Sequence, residues 1–264
     1  MIPDDLIPFS RYELWQIAII HGAVAIGFFI RGAFGFGSNL PLVLITTWIV
    51  GPHHAIVLTL VISAFAQIHL APQGVKSADW SVFRTLIVGF LIGSVGGVVV
   101  FAALDATWLT ITMAILIVGI LIMDYYNTFA RLQQFIDLRS RRVAMPLATL
   151  SGLVGSVSGG GGLYLLVAYL KLACANARAL RGTTMMLSVV FQMARFVALA
   201  IAGYISLHVL IESISVMPAM LVGAVAGRRL FDRMTEARFF RAIQVVLLLG
   251  AGLLLIKGLY QVLA

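Results

Sequence analysis

The sequence predicts an all-α polytopic membrane protein built as two inverted repeats. Each repeat holds about five hydrophobic segments, eight to ten in total, with glycine-broken helices or hairpins at equivalent positions. Three observations predict this fold. The chain of 264 residues is 61% apolar and 11% charged, whereas a soluble domain is about 45–50% apolar and about 25% charged. Its apolar residues gather into runs, many near the roughly 20 residues a helix needs to cross the hydrocarbon. The chain also repeats itself. Gly35-Phe36-Gly37-Ser38 precedes an apolar run from Leu40 to Trp48, and 124 residues later Gly159-Gly160-Gly161-Gly162 precedes one from Leu163 to Leu170. The same offset maps Ala55 and Thr59 onto Ala179 and Thr183, and further on it drifts to 130, carrying Gly93 and Gly97 onto Gly223 and Gly227.

Taken in order, the apolar segments are 12–33, 37–51, 54–72, 81–103, 107–126, 143–157, 162–175, 177–204, 207–227 and 238–262. Trp15, Trp48, Trp80 and Trp108 lie near segment ends, where aromatic belts form at the membrane surface. The region 1–13 carries Asp4 and Asp5 without a basic stretch, so no cleavable signal peptide is expected.

The charges test the count. The net charge is +8, but the basic residues fall in short connections between apolar runs, the positive-inside pattern rather than a nucleic-acid surface. The linker 127–142 holds Arg131, Arg139, Arg141 and Arg142, and the loop 228–241 holds Arg228, Arg229, Arg233, Arg238 and Arg241. Both are expected in the cytoplasm, and the four segments between them agree. Counting outward places Lys76, Arg84, Lys171, Arg178 and Arg181 inside as well. The connections at Asp105 and at Ser206–His208 lack Lys and Arg and fall outside, as do both termini. Residues 1–126 then form the first repeat and 143–264 the second. Five segments per repeat make the second enter from the opposite face, an architecture common among transporters. Reading 143–175 as one span would put the two basic loops on opposite sides. The short pair 143–157 and 162–175 can form a hairpin with Gly159–Gly162 at its tip, and 12–33 with 37–51 its counterpart around Gly35 and Gly37. Hairpin or full crossing, the parity is unchanged.

Glycine breaks inside apolar runs point to a transport site. Irregular backbone at membrane depth survives only where protein or a water-filled cavity satisfies its polar groups, and backbone N–H groups at such a turn bind anions. The competing reading is that these glycines only let helices pack closely. Buried ionisable residues add to the case, because charge in the membrane is costly and usually functional. Arg31 precedes the first turn and Arg195 lies deep in segment 177–204; Arg31 can also reach the cytoplasmic surface by snorkelling. Ser38, Asn39, Gln67, Thr183 and Gln192 supply hydrogen-bonding groups nearby, as do Thr184 and Ser188. Embedded acids are scarce: Glu212 is the one well inside an apolar run, Asp124 closes a segment, and His21 and His69 complete the titratable set. The embedded charge therefore leans basic and the substrate expected is an anion.

Other classes find no support. HExxH, GxSxG and Walker A sequences are absent. Cys174 is alone, and the adjacent His53-His54 pair, read as part of a loop, is a weak metal signal. No cofactor, no metal and no enzymatic activity are expected.

Gly35-Phe36-Gly37-Ser38-Asn39-Leu40-Pro41, Gly159-Gly160-Gly161-Gly162 and the paired Ala-x-x-x-Thr at 55–59 and 179–183 resemble the sulfite exporter TauE/SafE family over nearly the whole chain. The second turn is close to the family's glycine run; the first keeps the turn and the proline but carries Phe36, Ser38 and Asn39 in place of central glycines. The resemblance implies a multi-pass permease of the bacterial cytoplasmic membrane for sulfite, sulfonates, sulfoacetate or related small anions. The expected machinery is a secondary carrier with Arg31, Gly35, Gly37, Ser38, Asn39, Gln67, Gly159, Gly160, Gly161, Gly162, Thr183, Gln192 and Arg195 at the substrate, export being the direction expected. The alternatives are an anion channel and a non-transporting membrane assembly subunit. The lipid bilayer is the expected partner, and the rows Gly89-x-x-x-Gly93 and Gly223-x-x-x-Gly227 can pack helices within one protomer or across a homodimer.

Overall fold

The computed structural model describes residues 7–34, 37–126, 128, 131, 140–231 and 236–263. These residues form helices and connections, with no strand among them. The helices are α1 (Leu14–Phe34), α2 (Asn39–Val50), α3 (Pro52–Ser77), α4 (Trp80–Ala103) and α5 (Ala106–Tyr125), then α6 (Arg141–Val157), α7 (Gly162–Ala173), α8 (Ala177–Ile201), α9 (Leu207–Ser215), α10 (Met217–Phe231) and α11 (Glu236–Leu263). Four stretches are long and apolar enough to cross a membrane, Leu14–Gly32, Trp80–Ala103, Ala106–Met123 and Arg178–Ile201, and the bent pair α9–α10 makes a fifth. Gly35 and most of the 127–142 linker lie outside the described residues.

The helix starts follow local chemistry. Asp79 caps α4 by accepting from the N–H groups of Ser81 and Val82, Asn176 caps α8 through Ala179, and Ser206 caps α9 through Val209. Asp105 accepts from the N–H groups of Thr107 and Trp108 at the head of α5. Pro52 opens α3, where its fixed φ suits a first turn. His53 and His54 therefore belong to the first turn of α3 rather than to a loop.

The ninth apolar segment is two helices, bent by 44°. Pro218 sits in the first turn of α10 and has no N–H to offer the Ile214 carbonyl. The Glu212 carbonyl accepts from the Ser215 hydroxyl as well as from the Val216 N–H, so the ladder is interrupted at Val216.

Contacts between the two halves come in matched pairs. α1 packs on α10 as α6 packs on α4, and α2 meets α11 as α7 meets α5. α9 meets α3 as α8 meets α4, while α3 faces α8 and α5 faces α11. Glycine permits the closest of these approaches. Gly89, Gly93 and Gly97 on α4 lie against the backbone of Met145, Thr149 and Leu153 on α6, and Gly223 on α10 lies against Ala25 on α1. The offset of 124 carries Ala25 onto Thr149. Gly89, Gly93 and Gly223 of these rows are thus occupied within the protomer.

Apolar side chains such as Ile92, Val95 and Val99 on α4, Leu221 and Val222 on α10, and Leu249 and Leu253 on α11 point outward. Such faces suit lipid rather than water. Trp15, Trp48, Trp80 and Trp108 are all exposed near helix ends, and the Lys257 ammonium sits 4.6 Å from the Trp48 ring centroid.

Candidate anion site

The two glycine turns meet. α2 and α7 have 12 residues each, about 18 Å of helix against a hydrocarbon thickness of about 30 Å. Each ends short of a crossing at its glycine turn. Gly37, Gly159 and Gly160 have φ of 93°, 75° and 139°, the region that side chains with a Cβ avoid. Gly160 lies against the Asn39 side chain, so a Cβ there would come within 2.7 Å of the Asn39 Cβ. The Tyr164 hydroxyl of α7 donates to the Gly37 carbonyl at 3.2 Å. One turn closes against the other with no room for larger residues.

Neither α2 nor α7 has a side-chain cap. Ser38, at the capping position of α2, instead donates its hydroxyl to Asn39 Oδ1 at 2.9 Å, and the Ser63 hydroxyl of α3 donates to the same oxygen at 2.9 Å. Asn39 is fixed by two hydroxyls. Ser158 donates to the Val154 carbonyl and accepts from the Gly161 N–H, which ties the end of α6 to the start of α7. The first N–H groups of α2 and α7 therefore add their partial positive charge to the turns.

Arg195 reaches the second turn from α8. It is 1% exposed. Its Nη2 donates to the Ser156 carbonyl at 3.1 Å, and its guanidinium lies 5.3 Å from the Phe191 ring centroid. Its Nε and Nη1 have no hydrogen-bond partner. Phe191 stacks on Phe90 of α4 at 4.8 Å, and Ser156 donates to the Ser94 carbonyl. The guanidinium is held in place with two donor nitrogens unused, in a setting where an unpartnered charge costs several kcal/mol.

Gln192 lies on the same helix, buried, with Oε1 unpartnered. Gln67 of α3 donates Nε2 to the Ser188 hydroxyl at 2.6 Å and leaves Oε1 unpartnered. A half-turn of either amide exchanges the free acceptor for N–H donors. Arg195, Gln67 and Gln192 thus each carry a buried polar atom without a hydrogen-bond partner.

Thr183 and Arg31, also named from sequence, have contacts of their own. The Thr183 hydroxyl accepts from the Asp79 N–H at 2.8 Å and faces the Cys174 sulfur at 3.9 Å, so it holds the α3–α4 junction. It is separated from Arg195 by roughly 18 Å of helix. Arg31 is buried on α1, its guanidinium 5.8 Å from the Phe28 ring centroid and its Nε unpartnered. Sequence reasoning missed Ser63, Ser156 and Tyr164. The serines flanking the second turn, Ser156 and Ser158 directly before Gly159, were the available signal.

The family model described as "Sulfite exporter TauE/SafE" matches residues 19–255, a span that contains both glycine turns, Arg31 and Arg195. The chain belongs to the TauE/SafE family. Membership makes it a membrane transporter, not an enzyme, and gives it small sulfur-containing anions as its substrate class. No curated protein and no solved structure matches it. In this TauE/SafE chain, Gln67→Leu is expected to weaken apparent substrate affinity about tenfold, the size of one hydrogen bond to a charged group. Concentration-dependent flux into liposomes measures it, and an unchanged half-saturation concentration would remove Gln67 from the site.

Proposed function

We propose that this protein is a secondary carrier that exports a small sulfur-containing anion, such as sulfite, a sulfonate or sulfoacetate, across the bacterial cytoplasmic membrane. The observation that carries the reading is the Arg195 guanidinium, sealed from solvent beside the second glycine turn with two nitrogens unpartnered. An oxyanion supplies the missing acceptors, and a planar guanidinium suits an anion that presents two oxygens on one face. Asn39, Gln67 and Gln192 with the backbone of Gly37, Ser38 and Gly159–Gly162 complete the coordination. Gly35, which lies outside the described residues, is proposed as part of the same coordination. Arg31 supplies a second positive charge along α1. In this reading Thr183 acts on the α3–α4 junction and not on the anion.

Residues 1–126 and 143–264 are proposed as inverted repeats joined by a cytoplasmic basic linker, 127–142. The matched contacts between the halves support this arrangement. Movement of one half against the other would then expose the glycine turns alternately to the two faces. Export needs no coupling ion, since an inside-negative potential favours anion exit by about 2.3 kcal/mol per charge per 100 mV.

The test has two stages. Thermal unfolding of the detergent-purified protein is measured with sulfite, sulfate, thiosulfate, taurine, sulfoacetate, simple carboxylates and chloride. One sulfur anion is expected to raise the melting temperature in the wild type and not in Arg195→Met. Flux of that anion in liposomes is then measured under an imposed potential. Stabilisation by none of the anions would sink the reading, and flux indifferent to potential would sink uncoupled export.

A further inference from the structure

The fold brings together a second buried polar cluster that the anion site does not use. Glu212 on α9 is fully buried. Its Oε2 is hydrogen-bonded to His54 Nε2 on α3 at 2.6 Å, and its Oε1 lies 3.0 Å from His208 Nε2, one turn earlier on α9, without a hydrogen bond. The two imidazoles are each about a quarter exposed, so the carboxylate is reached from solvent only through them. The connections nearest this cluster, 104–106 and 202–206, contain no Lys or Arg. It therefore sits at the end of the bundle opposite the basic loops, which the positive-inside pattern makes the external end.

In the 104–106 connection, Asp105 is engaged with the N–H groups of Thr107 and Trp108. On α3, His53 turns away to the Leu104 carbonyl at 3.0 Å and stacks on Tyr204. The basic residues of α10, Arg228 and Arg229, are in its last turn, at the opposite end of that helix. His21 on α1 is engaged with the Ile17 carbonyl. From the segment before α1, the Tyr12 hydroxyl senses Glu212. Burial first, and the Glu212 charge second, hold that phenol above its usual range, with Arg11 opposing.

We propose that His54, Glu212 and His208 form a proton-binding site open to the external face, whose occupancy sets how α9 docks on α3. A buried carboxylate between two imidazoles carries net charge −1, 0 or +1 as zero, one or two protons are added to the rings, and imidazole is the side chain that changes charge across pH 5–8. A carboxylate stripped of its paired cation inside a membrane is strongly disfavoured. Loss of the ring protons therefore drives α9 to release Glu212 toward water. Two features let this movement matter. The chain bends by 44° between α9 and α10, and α3, the helix that α9 leaves, carries Ser63, which bonds Asn39 beside the first glycine turn. The consequence for flux rests on the carrier reading above; proton binding and helix movement do not.

Two measurements on the full-length protein in liposomes test this without requiring transport. Infrared difference spectra between about pH 5 and pH 8 are expected to show a protonation signal of carboxylate and imidazole that disappears in Glu212→Gln. His208→Gln is expected to change that signal, and this milder variant decides the matter if Glu212→Gln fails to fold. Spin labels at Leu207→Cys and Trp108→Cys, both exposed positions, in a Cys174→Ser background are expected to change separation over the same pH range, and to stop doing so when Glu212 is Gln. Spectra that titrate identically with and without Glu212, or a label separation independent of pH, would overturn the proposal. Absence of flux for every anion would instead overturn the carrier reading and leave the proton site standing.

Discussion

Arg195→Met is expected to lower transport about 100-fold while leaving thermal stability equal to or above that of the wild type. In its proposed role the side chain serves the substrate at the expense of the resting protein, so the two effects separate. Its Nε and Nη1 are buried without partners, and replacing a buried charge by an apolar side chain of similar volume is commonly neutral or stabilising by about 1–4 kcal/mol. Methionine preserves the contact with Phe191 and loses one hydrogen bond to the Ser156 carbonyl, which gives back about 1 kcal/mol. Against this, the anion loses a desolvated ionic partner worth about 3 kcal/mol, or about 100-fold. Arg195→Lys should fall between, since it keeps the charge and loses the planar fork. Flux in liposomes and unfolding temperature in detergent measure the pair. Wild-type flux in Arg195→Met would remove the residue from the mechanism. Equal losses of flux and fold would make it structural.

Gly93→Ala and Gly96→Ala, three residues apart on α4, are expected to act in opposite directions. A methyl at Gly93 would overlap the Thr149 carbonyl of α6, and backbone is what it meets, not a side chain that can rotate away. The α4–α6 contact would have to open, at a cost of about 3 kcal/mol, and since α6 leads into Ser156 and the second turn, anion binding should fall with it. At Gly96 nothing lies within 4 Å of the same methyl, and a helical Gly→Ala exchange there should stabilise by up to about 1 kcal/mol. Unfolding temperatures of the two variants decide it. A Gly93→Ala protein as stable as the wild type would mean that the two helices are not held this close.

How far the sequence reaches can be judged element by element. The ten apolar segments correspond closely to the helices because hydrophobic runs of membrane length leave few alternatives. The main exception is segment 207–227: Pro218 and the second acceptor role of the Glu212 carbonyl break it, and an apolar run does not register a missing donor. The glycine turns were legible as paired interruptions, and the structure places them against each other through Asn39, Gly160 and Tyr164. That Gln67 pairs with Ser188 while Thr183 serves Asp79 was not legible. A polar residue in an apolar helix looks the same whether its partner is a ligand or another helix.

By itself, then, the sequence determined the solvent, the course of the apolar helices and the sign of the embedded charge, because these depend only on composition and on the length and order of apolar runs. The tertiary structure alone decided which embedded groups are satisfied. Ser38 and Ser63 are spent on Asn39, Glu212 is bracketed by His54 and His208, and Arg195 keeps two nitrogens free. Partners far apart in the chain are set by helix packing at distances of about 3 Å, a scale on which periodicity carries no information.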